Sequence, residues 1–428
     1  MNNKVYKKKA LKKVGFTLLV VLIYLVGSNL VVPGVDSQHL LETVSQSLNL
    51  SFGLSMMGIS LNNFSLFSLG LAPWMSALIF WQVLTVTKLF NVDNFSEKQI
   101  FHIKFLFSLF LGVIQSFTVI NQVQLFGGSS HLPFYLLSPI LLAGLSILIW
   151  LGELNSQHGL GGQTVIILVT MIRNWPSSLM KELSTLSLNI QTFFISLVLF
   201  IVLIAFLYGI FVFFQGERRL PIKHVLLDEQ LSKEAYVPIS TNTAGGMPFM
   251  YAFSIMQLPT YVLFMLKSWL PGNILLDWLY DQMQLSRPLG VAVLIVTIIL
   301  LTYGFSYVNV DYKTLAEQMK KTGDYFSSVY PGKNTEKYLF DKITQIATVS
   351  ALFNGIVIGF PMFLSIFFPR FSTWAYFIPT CIIVLLLMKE IHVQFNSVYH
   401  LNDYAPILGN KKEGFSFRSF WKLFKKIE

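Results

Sequence analysis

The chain has 428 residues, of which 54% are hydrophobic and only 12% charged, with a formal net charge of +10. Soluble domains carry about 25% charged residues, so this composition excludes an ordinary soluble enzyme. A single cysteine, Cys381, excludes an internal disulfide framework.

Apolar stretches close to the roughly 20 residues that a bilayer core requires recur at 14–32, 69–87, 105–122, 133–152, 160–175, 190–214, 244–266, 288–308, 344–368 and 374–395. The expected fold is therefore all-α and polytopic, with about ten transmembrane helices. In lipid only a helix satisfies its own backbone groups, and the ten-residue alternation of a membrane barrel is missing. Lys4, Lys7, Lys8, Lys9, Lys12 and Lys13 precede the first stretch as the basic end of a signal peptide would. The run that follows is longer than a typical signal core, and Val32-Pro33-Gly34 offers no small-x-small cleavage site, so it reads as a retained span.

Three connecting stretches are too elaborate for simple turns. Segment 36–68 is small and moderately apolar, with Ser51, Gly53, Met56, Met57 and Gly58 at its centre. Such backbone is tolerated at membrane depth only inside protein or a watery cavity; an interfacial helix is the alternative. Segments 215–243 and 309–343 are long and mixed in charge, where two to eight residues would join two helices, and they suit a docking surface. The basic, aromatic tail at 396–428 suits anionic lipid headgroups rather than nucleic acid. With the N-terminus inside, segments 1–13, 88–104, 153–159, 215–243, 309–343 and 389–428 hold 26 of the 31 Lys and Arg residues. The positive-inside rule then places both termini in the cytoplasm. The domain plan is a basic N-terminus at 1–13, a first half at 14–176, and a connection with span six at 177–214. The docking loop 215–243, spans at 244–308, the docking loop 309–343, two spans at 344–395 and the tail complete it.

No Asp, Glu, Lys or Arg occupies the core of any expected span. Ion-coupled transporters normally keep such a group as relay or counter-ion, so a secondary solute transporter is a poor fit. Gly159-Leu160-Gly161-Gly162 lacks the preceding strand of a dinucleotide loop, and Pro331-Gly332-Lys333-Asn334-Thr335 lacks the upstream glycine of a Walker loop. The histidines show no metal spacing, and no nucleophile–base pair argues for a membrane acyltransferase. No cofactor, metal or catalytic residue is expected.

Five segments in chain order resemble the SecY family of protein-conducting channels. Phe67–Ala77 with Gln82-Val83-Leu84-Thr85 resembles the start of that family's second span. Trp150-Leu151-Gly152-Glu153 with His158-Gly159-Leu160-Gly161-Gly162 resembles the approach to its fifth. Gln215–Ile222 resembles Q-G-x-R-R-I-P-V, Val237–Pro248 resembles L-P-L-K-V-N-x-A-G-V-I-P, and Tyr330–Leu339 resembles R-P-G-x-x-T-x-x-Y-L.

The resemblance implies two inverted, pseudo-symmetric halves around an apolar pore ring formed by Leu71, Met75, Thr164, Leu168, Met247 and, in the tenth span, Ile383. It implies a plug at 51–65 and a lateral gate between spans two and seven, near Gln82, Thr85 and Gln115. An apolar ring gates ions by dewetting, and methionine adapts to varied side chains, although ordinary packing would also suit Met75 and Met247. Implied partners are an unfolded preprotein with a signal peptide, a SecA-type ATPase docked near Arg218, Arg219, Tyr330 and Lys333, and a small SecE-like single-span subunit. Tyr330 stands where the family has arginine, Gly162 where it has asparagine, and the ring includes Thr164. These departures resemble the accessory branch of Gram-positive cocci, which exports a glycosylated serine-rich adhesin; the housekeeping translocon remains the rival reading.

Overall fold

A computed structural model of the protein describes residues 2–32, 65–87, 95–125, 134–173, 190–224, 235–327, 329–330, 332–368 and 372–399. Every one of the ten expected spans contains helix. In chain order these are α1 (Asn2–Gly27), α2 (Ala72–Thr87), α3 (Glu97–Leu125), α4 (Phe134–His158), α5 (Thr164–Arg173) and α6 (Ile190–Gln215). They continue as α7 (Met247–Trp269), α8 (Ile274–Gln282), α9 (Pro288–Asn309), α10 (Tyr312–Thr322), α11 (Lys333–Phe367) and α12 (Ser372–Tyr399). Seven of the described helical stretches are long and apolar enough to cross a membrane; α5 is a shorter apolar helix. Two helices, α8 and α10, lie outside the expected spans.

Packing follows two groups. In the first, α2 lies against α3, α3 against α4, and α4 against α1. In the second, α7 lies against α9, α9 against α11, α11 against α12, and α12 against α6. The groups meet where α7 touches α2 and α3, and where α12 touches α1. Close approach depends on glycine at Gly144 of α4, where a Cβ would sit 1.9 Å from the Leu66 carbonyl oxygen.

The boundaries depart from the expected ones at charged helix ends. Helix α11 begins at Lys333 rather than near 344. Its first three turns mix exposed Lys337 with fully buried Leu339 and Ile343. A hydropathy reading stops at the charges, whereas an amphipathic helix continues through them. Helix α3 likewise starts ahead of its apolar stretch, at Glu97, and α1 at Asn2.

The two long loops form one module rather than two. Strand β1 (Glu217–Pro221) pairs antiparallel with β3 (Tyr236–Ser240), and β2 (Lys223–His224) pairs with β4 (Asp324–Tyr325) across the loops. Leu220 and Ile239 from one loop share a core with Ala316, Met319, Phe326, Leu339 and Ile343 from the other. Helix α10 is delimited locally: the Asp311 carboxylate accepts from the Lys313 and Thr314 amides, and Gly323 ends the helix at φ +80°. This platform lies at the end of the bundle where α6 finishes and α7 begins. All of the expected plug segment but its last residue (51–64), residues 225–234 and the tail from 400 onward lie outside the described residues.

Candidate functional site

Beneath the platform is a cavity of about 650 Å³. Met75 of α2, Thr164 of α5 and Met247 of α7 all line it, so three of the six expected ring positions are gathered from three helices and both halves. Leu71 and Leu168 lie one helical turn farther from the platform than Met75 and Thr164. Leu71 and Ile383 are each 1% exposed and belong to the core, and Leu168 packs partly buried against it. The cavity thus reaches Met75, Thr164 and Met247 from the platform side, and Leu71, Leu168 and Ile383 lie outside its lining, in packed apolar core. Farther out, the wall turns polar with Glu97, Lys104, Glu153 and Glu390.

The wall is locked by local chemistry. The Gly159–Gly162 turn has left-handed backbone at Gly161 (φ +71°) and Gly162 (φ +49°), a region glycine enters without steric cost. Asn155 Nδ2 donates to the Leu160 and Gly162 carbonyls at 2.8 and 2.9 Å, and the Leu160 amide donates to Thr17 Oγ1 at 2.9 Å. The Gly161 amide donates to Gln394 Oε1 of α12 at 2.8 Å, which joins the halves. Trp74 Nε1 donates to Gln163 Oε1 at 2.5 Å, fixing α2 to the start of α5. A motif that looked faintly like a phosphate loop is therefore a helix-starting turn in the cavity wall.

Where α2 meets α7, the Ser76 and Ser254 hydroxyls share a 2.7 Å hydrogen bond, both residues 2% exposed. The Ala72 carbonyl accepts from either hydroxyl, at 3.1 Å from Ser76 and 3.3 Å from Ser254. Sequence reasoning placed Ser76 inside a motif yet assigned it no role, and passed over Ser254. Their only signal was a small hydroxyl in the middle of an apolar span. Of the positions expected near that seam, Gln82 is half-buried, and Thr85 is exposed with its hydroxyl donating to the Trp81 carbonyl. Gln115 is fully buried, with both side-chain amide atoms lacking a hydrogen-bond partner among the described residues. None of the three lines the cavity.

Arg218, Arg219, Tyr330 and Lys333 are all exposed on the platform, Tyr330 by 81%. Arg219 is held sideways: its Nε lies 2.8 Å from Glu217 Oε1, and its guanidinium stacks 4.7 Å from the Tyr236 ring centre. Those partners push its pKa further up. Among the described residues no cluster of three His, Cys, Asp or Glu could hold a metal ion.

Comparison with known proteins agrees with this architecture. The SecY family model matches residues 65–389. A protein of Leuconostoc gelidum subsp. gasicomitatum named accessory Sec system protein translocase subunit SecY2 is 32% identical over 406 residues, spanning 93% of this chain and 96% of that protein. A Streptococcus gordonii protein of the same name is 34% identical over 362 residues, spanning 84% of this chain and 88% of that one. In fold, the chain resembles a solved protein-conducting channel with TM-score 0.61 at 16% identity, covering 91% of this chain and 94% of that one. It also resembles a SecY channel solved in work on the plug domain and the closed state, with TM-score 0.63 and the same identity and coverage. Helix in each of the ten expected spans, a cavity walled by residues of both halves, and relatives covering nearly the whole chain converge: the protein belongs to the SecY family of translocase channel subunits.

Proposed function

We propose that this protein is the pore subunit of an accessory translocase in the bacterial plasma membrane, with both termini in the cytoplasm, dedicated to a large glycosylated serine-rich surface adhesin. The observation that carries the conduit reading is the cavity that reaches Met75, Thr164 and Met247 from both halves, with packed apolar side chains beyond. Such a constriction closes around a chain without binding it. Support for the accessory assignment comes from the relatives named SecY2 and from Tyr330 in place of arginine.

In this reading the preprotein's signal peptide parts α2 from α7 at the lateral gate, with Gln82, Thr85 and Gln115 near its path. Segment 51–65 acts as the plug, and Leu71, Leu168 and Ile383 complete the ring. A SecA-type ATPase docks on the platform through Arg218, Arg219, Tyr330 and Lys333 and supplies the work; the channel itself hydrolyses nothing. Exchange of arginine for Tyr330 tunes which motor docks, because a lost basic contact disfavours the partner that needs it. A small SecE-like span clamps the halves, and the basic tail rests on anionic lipid.

Depletion in the host followed by pulse-labelling of exported proteins tests the proposal. Survival with one large wall protein retained inside is expected. Death with many precursors accumulating overturns the accessory assignment in favour of the general translocon.

A further inference from the structure

Helix α8 leaves its apolar stripe uncovered, unlike an ordinary surface helix. Its apolar residues Ile274, Leu275, Trp278 and Leu279 share one face and are 83, 70, 53 and 37% exposed. Beside that face Asp277 Oδ1 lies 2.9 Å from Lys267 Nζ and Asp281 Oδ2 lies 2.7 Å from Arg287 Nη2, both pairs about half exposed, while the Tyr280 ring turns toward the protein, 5.8 Å from Phe264. Asn273 begins the helix by accepting from the Leu275 amide at 3.1 Å. A helix on a watery surface buries its apolar stripe; α8 leaves its own exposed, with its carboxylates held in ion pairs beside it.

The connections fix where this face lies. Helix α7 starts at the platform and ends at Trp269, so α8 sits at the far end of the bundle, between the end of α7 and the start of α9. Nine residues span about 14 Å, too short to cross a bilayer. Trp269 and Leu270, 63 and 56% exposed, continue the apolar surface onto the last turn of α7, one of the membrane-spanning helices. The surface is thus continuous with the lipid-facing side of the bundle, and its two tryptophans are the residues that settle at headgroup level.

We propose that α8 is an in-plane lipid anchor: its face of Ile274, Leu275, Trp278 and Leu279 is seated at the headgroup–acyl boundary of the leaflet opposite the platform. The ion pairs to Lys267 and Arg287 keep its carboxylates paired there and tie the anchor to the ends of α7 and α9. Helices of this type bury the apolar face about 5–10 Å below the headgroups. The proposal is independent of what the channel carries.

The test uses the full chain in lipid nanodiscs. An environment-sensitive fluorophore is attached at Ile274→Cys, Trp278→Cys or, as an aqueous reference on the exposed face of the platform, Lys320→Cys in a Cys381→Ser background, then quenched by shallow spin-labelled phospholipid or by aqueous iodide. Lipid quenching several-fold stronger at 274 and 278 than at 320, with iodide quenching correspondingly weaker at 274 and 278, is the expected result. Strong iodide quenching at 274 and 278 places the face in water and overturns the proposal. Shielding from both quenchers means that protein covers it and overturns the proposal equally. Photoactivatable phospholipid applied to the unaltered chain gives a second reading that needs no variant. Adducts on peptide 269–279 are expected, and adducts on exposed α6 residues such as Phe200 without any on that peptide refute the anchor.

Discussion

Two of the polar contacts that join the halves are built from different chemistry. At the α2–α7 seam a side chain meets a side chain, the hydroxyls of Ser76 and Ser254. Both helices keep their own backbone ladders, and the Ala72 carbonyl, four residues before Ser76, stands ready for its hydroxyl. Separation there leaves the Ser76 hydroxyl its intrahelical acceptor and strands no backbone group; only the rotatable Ser254 hydroxyl loses its described partners. At the α5–α12 seam a buried backbone donor, the Gly161 amide, depends on Gln394 as its acceptor among the described residues. Separation there orphans a backbone N–H, at a cost of about 1–3 kcal/mol. The first seam is suited to open and the second to hold, although both are short polar contacts between apolar helices.

The largest expected effect locks the first seam. A Ser76→Cys/Ser254→Cys pair in a Cys381→Ser background should form a disulfide, because side chains whose oxygens sit 2.7 Å apart are within reach of a bridge. Export of the cargo should stop on oxidation and return on reduction. Undiminished export through the fully bridged protein would show that the chain does not need this seam to part.

Next comes Gly161→Ala at the second seam. Left-handed backbone costs a non-glycine residue about 1–2 kcal/mol. The added Cβ would also stand 2.7 Å from Val165 Cγ2 and 2.8 Å from Ile391 Cγ1. The melting temperature of the purified protein should fall, while export per folded molecule stays near normal. A normal melting temperature would remove the distinction between the seams.

A smaller effect is expected from Ser254→Ala. Interhelical hydrogen bonds in membranes average about 0.6 kcal/mol, equivalent to roughly a threefold shift toward the open state. Export of a cargo with a weakened signal peptide should rise by about that factor, with little change in melting temperature. Reduced export would mean that the bond assists opening rather than opposing it.

The smallest effect separates both seams from the platform. Neither seam contact includes an ionisable group. On the platform, hydrogen bonds from Thr314 hold the Asp311 carboxyl below its usual pKa, with lesser help from Lys313. A depressed carboxylate pKa stabilises the fold above the ordinary carboxylate range, and that contribution is lost as pH falls through the lowered value. Proteolysis of the platform should therefore increase slightly on acidification, and Asp311→Ala should abolish that pH dependence. The disulfide-forming pair should show no matching change in its rate of closure beyond ordinary thiol chemistry.

Much of the bundle was legible because hydropathy and lipid demand the same thing: an apolar stretch in a bilayer must be helical. Of the six residues named for a ring through short motifs, Met75, Thr164 and Met247 line the cavity, whereas Leu71, Leu168 and Ile383 lie in or against the apolar core outside its lining, a division that depends on helix packing rather than on the motifs. Ser76 and Ser254 were not legible as a pair. They lie 178 residues apart, and a serine inside a span reads the same whether it bonds its own helix or its neighbour.

By itself the sequence determined that the protein is helical, membrane-spanning and built in the order of the SecY family, because those properties follow from local composition and ordered motifs. Tertiary structure alone decided which residues face each other. It merged segments 215–243 and 309–343 into one platform through β2–β4 pairing and a shared core. It also turned a glycine-rich turn into a tie between halves and the α8 apolar face away from the protein. Contacts between residues far apart in the chain depend on how whole helices pack, and no local pattern of residues encodes that.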